Sequence, residues 1–142
     1  MASIKFSGMD EFMQRIQKID QRTIPIVKMS VFEGAAVVVA AVENSIQNSV
    51  SGRLPIPLAK GLGVSRMRVN GRRVNVLVGF DGYYENHEGR TVPIPYLARM
   101  VESGTSTIQK QPFMRPAIEA AESAALAAME AKFNEEIDKM MK

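Results

Sequence analysis

Between Ile26 and Asn48 the chain runs for 23 residues without a turn signal, and only Lys28, Glu33, Glu43, Asn44 and Gln47 break its apolar surface. The centre, AAVVVAAV from Ala35 to Val42, is ambiguous by itself, because valine is stiff at χ1 and fits a strand better than a helix. Length resolves it: strands rarely exceed about 10 residues, so the segment is a helix. A helix apolar nearly all round is buried on several sides. A chain of 142 residues makes one domain with one core. Part of this helix is therefore expected to meet a neighbouring subunit.

The remaining composition narrows the class. A hydrophobic fraction of 46% with 23% charged residues excludes a wholly disordered or collagen-like chain. The absence of cysteine excludes a disulfide framework and any thiolate chemistry. The longest uncharged apolar run, Ala35–Val42, is about half of the roughly 18 residues that mark a spanning helix. Asp10 and Glu11 stand where a signal peptide would carry its apolar stretch. The expectation is a soluble protein with no membrane partner.

Other elements follow from periodicity and turn chemistry. Met9, Phe12, Met13, Ile16 and Ile19 define a short amphipathic helix, and Pro25 suits the first turn of the helix that follows. Ser49–Gly63, with three glycines and two prolines, reads as a mobile loop carrying Arg53 and Lys60 as partner-contact residues. From Val64 to Phe80 the chain alternates around Asn70-Gly71, a favoured two-residue hairpin turn. That register turns Met67, Val69, Val74, Val76, Val78 and Phe80 inward and Arg66, Arg68, Arg73 and Asn75 outward, with Arg68 opposite Arg73. Arg72 then falls on the apolar side and Leu77 on the polar side. Asp81–Val92 reads as a polar connection, and Ile94–Ser103 as a short helix opening at Pro95 and ended by Gly104. The last helix begins near Pro112–Pro116 and runs to about Met140, with the stripe Met114, Ile118, Ala121, Ala125, Met129, Phe133, Ile137 and Met140. Its alanines, between Ala120 and Ala128, favour the helix and allow another backbone to approach closely. The fold class is α+β: a small antiparallel sheet, including the hairpin at about 64–80, flanked by a long helix in the N-terminal half and a long C-terminal helix. Residues 1–142 form a single domain.

No constellation supports catalysis. His87 is the sole histidine, and with Asp81, Glu85 and Glu88 it lies in a polar stretch without metal-ligand spacing, which reads as a solvated turn. Gly61-Leu62-Gly63 lacks both the lysine and the strand-to-helix context of a phosphate loop. The chain is read as a non-enzyme with no cofactor or metal. Charge is more informative. No acid occurs between Asn44 and Phe80, where Arg53, Lys60, Arg66, Arg68, Arg72 and Arg73 fall, whereas Met114–Lys142 holds six acids and four bases. The outward arginines, Arg66, Arg68 and Arg73, offer a face to an anion, either a partner's acids or duplex DNA phosphates. No aromatic residue is interleaved with them, which argues against stacking on single strands.

Tyr96, Glu102, Gly104 and Thr105, a short loop, and then Pro112, Phe113, Pro116 and Ala117 resemble, in order and spacing, the signature of the tailed-phage tail-completion or head–tail joining proteins, the minor tail family of the Hong Kong coliphage type. The family's layout of N-terminal helix, basic loop, hairpin, short helix and long last helix is similar too. The proline-rich LPIPL and VPIPY pair departs from it. The resemblance implies an α+β virion protein of the neck, made in the bacterial host cytoplasm and assembled as a ring, commonly of six copies. Its implied partners are itself, the head connector or stopper, and the tail tube or tail terminator protein, with DNA passing through the lumen. A tail-terminator role at the same place, or a small duplex-DNA-binding protein using the basic hairpin face, is the alternative. The residues of the signature read as fold residues with no catalytic duty.

Overall fold

The computed structural model describes residues 23–71 and 73–141. The amphipathic segment Met9–Ile19 and Arg72 lie outside them. Helix α1 spans Ile24–Ser49 and helix α4 spans Met114–Met141. Between them lie α2 (Pro55–Gly61), β1 (Leu62–Val64), β2 (Arg68–Asn70), β3 (Arg73–Asn75), β4 (Val78–Phe80), β5 (Tyr83–Glu85), β6 (Thr91–Pro93) and α3 (Ile94–Ser103). The α+β class holds: two long helices pack together with small antiparallel two-stranded ladders between them in sequence.

All four helices among the described residues carry proline in their first turn, at Pro25, Pro55 and Pro57, Pro95, and Pro116. There the missing N–H would have had no intrahelical partner, and the fixed φ is already helical. This explains both proline-rich pairs: LPIPL opens α2 and VPIPY opens α3. It also corrects the reading of Ser49–Gly63 as loop throughout. Residues 55–61 are helical, and Leu58 is fully buried in the core.

α1 and α4 run antiparallel. At one end Ser45 Oγ donates to the Phe113 carbonyl at 2.6 Å; at the other, Val27 and Val31 cluster with Met129, with Phe133 packed against them. The inner side of α1 (Val31, Ala35, Val38, Val42, Ile46) is buried. Opposite it lie Ala117, Ala121, Ala125 and Met129 of α4, much as the helical stripe predicts. Gly34 lets the two helices approach closely, since a Cβ there would stand 2.5 Å from the Met129 side chain. By length and composition α1 could cross a membrane, contrary to the expectation from uncharged runs, but its inner side is the core of this fold. Ser30, buried on that side, is satisfied by donating to the Ile26 carbonyl.

The hairpin forms with two adjustments. Asn70 pairs with Arg73, Val69 with Val74 and Arg68 with Asn75, so the turn begins at Gly71 (φ 62°) and not at Asn70. Arg68 therefore does not oppose Arg73. A glycine at the first turn position supplies the positive φ this tight connection needs. The second adjustment is a bulge. Val64 pairs with Val78 and Arg68 with Asn75, leaving three residues, Ser65–Met67, opposite two, Val76 and Leu77. The Ser65 hydroxyl accepts the Leu77 N–H at 2.8 Å, replacing the lost ladder carbonyl. Val74, Val78 and Phe80 are buried as the alternation predicts, while Val69 near the tip is 43% exposed.

Asp81–Val92 is corrected as well. It holds a second hairpin, β5–β6, with Tyr84 opposite Val92. Asn86 organises its tip: its side-chain oxygen accepts the N–H groups of Glu88 and Arg90, at 3.0 and 2.9 Å.

Candidate functional site

The residues from Glu102 to Ala117 converge on the junction between α3 and α4. α3 ends at Ser103, and Gly104 turns the chain at φ 77° with the Lys110 backbone so close that a Cβ would stand 3.0 Å from its nitrogen. Thr105 Oγ1 accepts the N–H groups of Thr107 and Ile108, closing the next turn. Gln111 returns to α3 through its N–H on the Val101 carbonyl, and its side chain brackets Ser51 with two hydrogen bonds. Phe113 is fully buried, its ring edge-on to Phe80 at 5.8 Å between centroids.

Glu102 ties the junction together. One carboxylate oxygen accepts the N–H groups of Phe113 and Met114, at 2.8 and 2.9 Å, and the other accepts that of Arg115 at 3.1 Å. These donors belong to the N-terminus of α4, which carries no acid in its own first turn. A carboxylate from another helix thus caps α4 and answers the positive end of its dipole. Pro112 and Pro116 are exposed, and Ala117 is buried against α1. Tyr96 stands apart from this arrangement: it is 56% exposed on the first turn of α3.

Comparison with known protein families, characterised proteins and solved structures finds no match.

Arg66, Arg68 and Arg73 are exposed on or beside the β2–β3 hairpin, and no described acid forms an ion pair with them. Arg53 is exposed just before α2 and Lys60 in its last turn. His87 lies at the β5–β6 tip, 81% exposed, with Glu88 at 3.8 Å. Among the described residues no three His, Asp or Glu side chains gather in a metal-binding arrangement.

Two surfaces emerge that residue-type searching overlooks. The outer side of α1 presents Met29 (39% exposed) and Phe32 (57%), followed by exposed Ala36 and Ala40. The outer side of α4 presents Ala120, Ala124, Ala127 and Ala131, all exposed. The C-terminal end of α4 is charged. Lys139 contacts Glu135 and Glu136, and Lys132 contacts Glu136. Hydrogen bonds from Lys132 and then Lys139 hold the Glu136 carboxyl below its ordinary value, and those from Lys139 to Glu135 and Glu136 raise the lysine.

Proposed function

We propose that this chain is a structural protein of a tailed-phage or prophage virion, positioned in the neck, where it completes the tail or joins it to the head connector as a ring of copies. The observation that carries this reading is the α3–α4 junction. Of the residues that resemble the joining-protein signature, Glu102, Gly104, Thr105, Phe113 and Ala117 meet in one structural unit, Pro116 stands in the first turn of α4, and Pro112 and Tyr96 are exposed. A scattered coincidence of short sequence pieces would not be expected to give that unit. The two exposed outer faces of α1 and α4 add support, because an assembling subunit keeps apolar surface for its neighbours. On this reading the protein is not an enzyme and needs no cofactor. Its partners are copies of itself, the head connector or stopper, and the tail tube or tail terminator protein. The virion neck is its destination, reached from the host cytoplasm.

The test is affinity capture with this chain as bait, against purified connector and tail-tube proteins of the phage or prophage that encodes it. Binding to the connector together with the tube supports a joining role. Binding to the tube alone supports the terminator role, and binding to neither refutes the neck assignment. A second reading, duplex-DNA binding, is favoured by the three unpaired arginines on the β2–β3 hairpin. It requires an affinity that falls with salt at a log–log slope of about −0.9 for each phosphate contacted. A flat salt response in a gel shift removes it.

A further inference from the structure

We propose that the outer face of α1 docks antiparallel on the outer face of α4 of the next copy, giving a head-to-tail contact. This rests on the reading of the chain as self-assembling and names the surfaces that do it. Three observations converge. The first is shape. α1 exposes a ridge led by Phe32 and Met29, and α4 exposes a run of alanines with no bulky side chain among them. Large side chains over a methyl-lined helix permit close interaxial approach.

The second is spacing. Phe32, Ala36, Val39 and Glu43 follow one another by four, three and four residues, and Ala131, Ala127, Ala124 and Ala120 do the same in reverse. An antiparallel contact sets Phe32 over Ala131, Ala36 over Ala127 and Val39 over Ala124 of the next copy.

The third is charge, which selects the direction. Antiparallel docking brings Lys28 to the acidic end of α4, at Glu135 and exposed Asp138. A parallel arrangement would set Glu43 by those acids instead, which is repulsive. The docking faces differ and lie on different helices, so the contact is heterologous and propagates. α1 and α4 are also antiparallel within one chain, so every α1 in the assembly points the same way, as a closed ring requires.

The chain has no cysteine, so introduced thiols report this contact alone. Ala36→Cys and Ala127→Cys, both at exposed positions, are purified separately, mixed and mildly oxidised. The mixture should yield a crosslinked dimer that neither variant forms alone, and the double variant a ladder of higher species. Lys28→Glu in the first partner should lower the mixed product about tenfold through like-charge juxtaposition, and Glu135→Lys in the second should restore it. Crosslinking of Ala36→Cys with itself would overturn the proposal in favour of a two-fold α1 pair. No crosslink from protein shown by circular dichroism to be folded would overturn it too, and would indicate that the face is covered by the chain's own residues 1–22 or by another protein. Capture of the connector by a chain that fails this test would sink the contact while leaving the neck assignment standing.

Discussion

Removing the Glu102 carboxylate is the most direct probe of the α3–α4 junction. Its oxygens accept three N–H groups, and two of these, on Phe113 and Met114, are partly buried at 2.8 and 2.9 Å. In Glu102→Ala water cannot fully replace the acceptor, because Phe113 is closed over by Phe80 and α1. Losing an N-cap costs about 0.5–2 kcal/mol, and a buried donor left without a partner costs about 1–3 kcal/mol. Since the third donor is exposed and can turn to water, the sum expected is about 2–4 kcal/mol. For a chain of 142 residues that corresponds to a fall in Tm of roughly 6–15 °C. Glu102→Gln keeps the shape, retains one acceptor oxygen and loses the charge facing the helix dipole, so it should fall between the two at about 1–2 kcal/mol. Glu119→Ala serves as the control: it removes only an exposed pair with Arg115 at 3.5 Å and should cost under about 0.5 kcal/mol. Urea unfolding followed by circular dichroism gives all three values. If Glu102→Ala lies within about 0.5 kcal/mol of the parent protein, the carboxylate does not hold α4 and the junction argument fails.

Gly34→Val should destabilise by about 1–3 kcal/mol or more through overpacking against Met129 at the α1–α4 approach, which the same urea titration reads. Phe113→Ala removes a fully buried ring and should cost about 3–5 kcal/mol, read as a lowered Tm in a thermal melt started at low temperature. The Glu136 carboxyl is held below its ordinary value of 4.5. Its contribution is therefore present above that value and lost as pH falls through the lowered one. Lys139, raised above 10.5, contributes below that value and loses its contribution as pH rises through the raised one. Protection from hydrogen exchange at the end of α4 should fall at both extremes, and Glu136→Gln should remove the acid limb and weaken the basic one, which Glu135 also holds.

How much of this was readable in the sequence depended on where the deciding interaction lay. α1, α3 and α4 are set by local pattern: apolar runs or periodicity, proline in the first turn and, for α3, glycine after the last. LPIPL and VPIPY carry nearly the same helix-start signal, yet the glycines around the first give it the pattern of a loop. What overrides those glycines is tertiary, the burial of Leu58. The β5–β6 hairpin was missed because its strands are short and its connection is polar, although Tyr83-Tyr84 and Thr91-Val92 are strand formers. The role of Glu102 was hidden because its donors lie 11 to 13 residues away. One local signal could have exposed it: an acid in the last turn of α3 opposes that helix's own dipole and so calls for an external partner. The outer faces of α1 and α4 could not be separated from core until the inner faces were known.

The hairpin register shows a limit of a different kind and can be tested alone. Pairing Arg68 with Arg73 and pairing Arg68 with Asn75 differ by a two-residue slip, and side chains alternate with a period of two. The same residues therefore face inward in both registers, and no hydrophobic pattern can choose between them. Backbone conformation can. A turn over Asn70-Gly71 needs positive φ at Asn70, whereas in the observed register Asn70 is a strand residue paired with Arg73, and only Gly71 of these two is at positive φ. Gly71→Ala should then cost about 1–2 kcal/mol, the penalty of a Cβ in the left-handed region. Asn70→Ala should cost only a few tenths of a kcal/mol, since an exposed strand position asks little of its side chain. A loss of about 1 kcal/mol or more at Asn70 would mean that it, too, adopts positive φ. The turn would then sit one residue earlier, Arg68 and Arg73 would face each other, and the anion-binding reading of that face would gain a closely spaced pair of guanidinium groups.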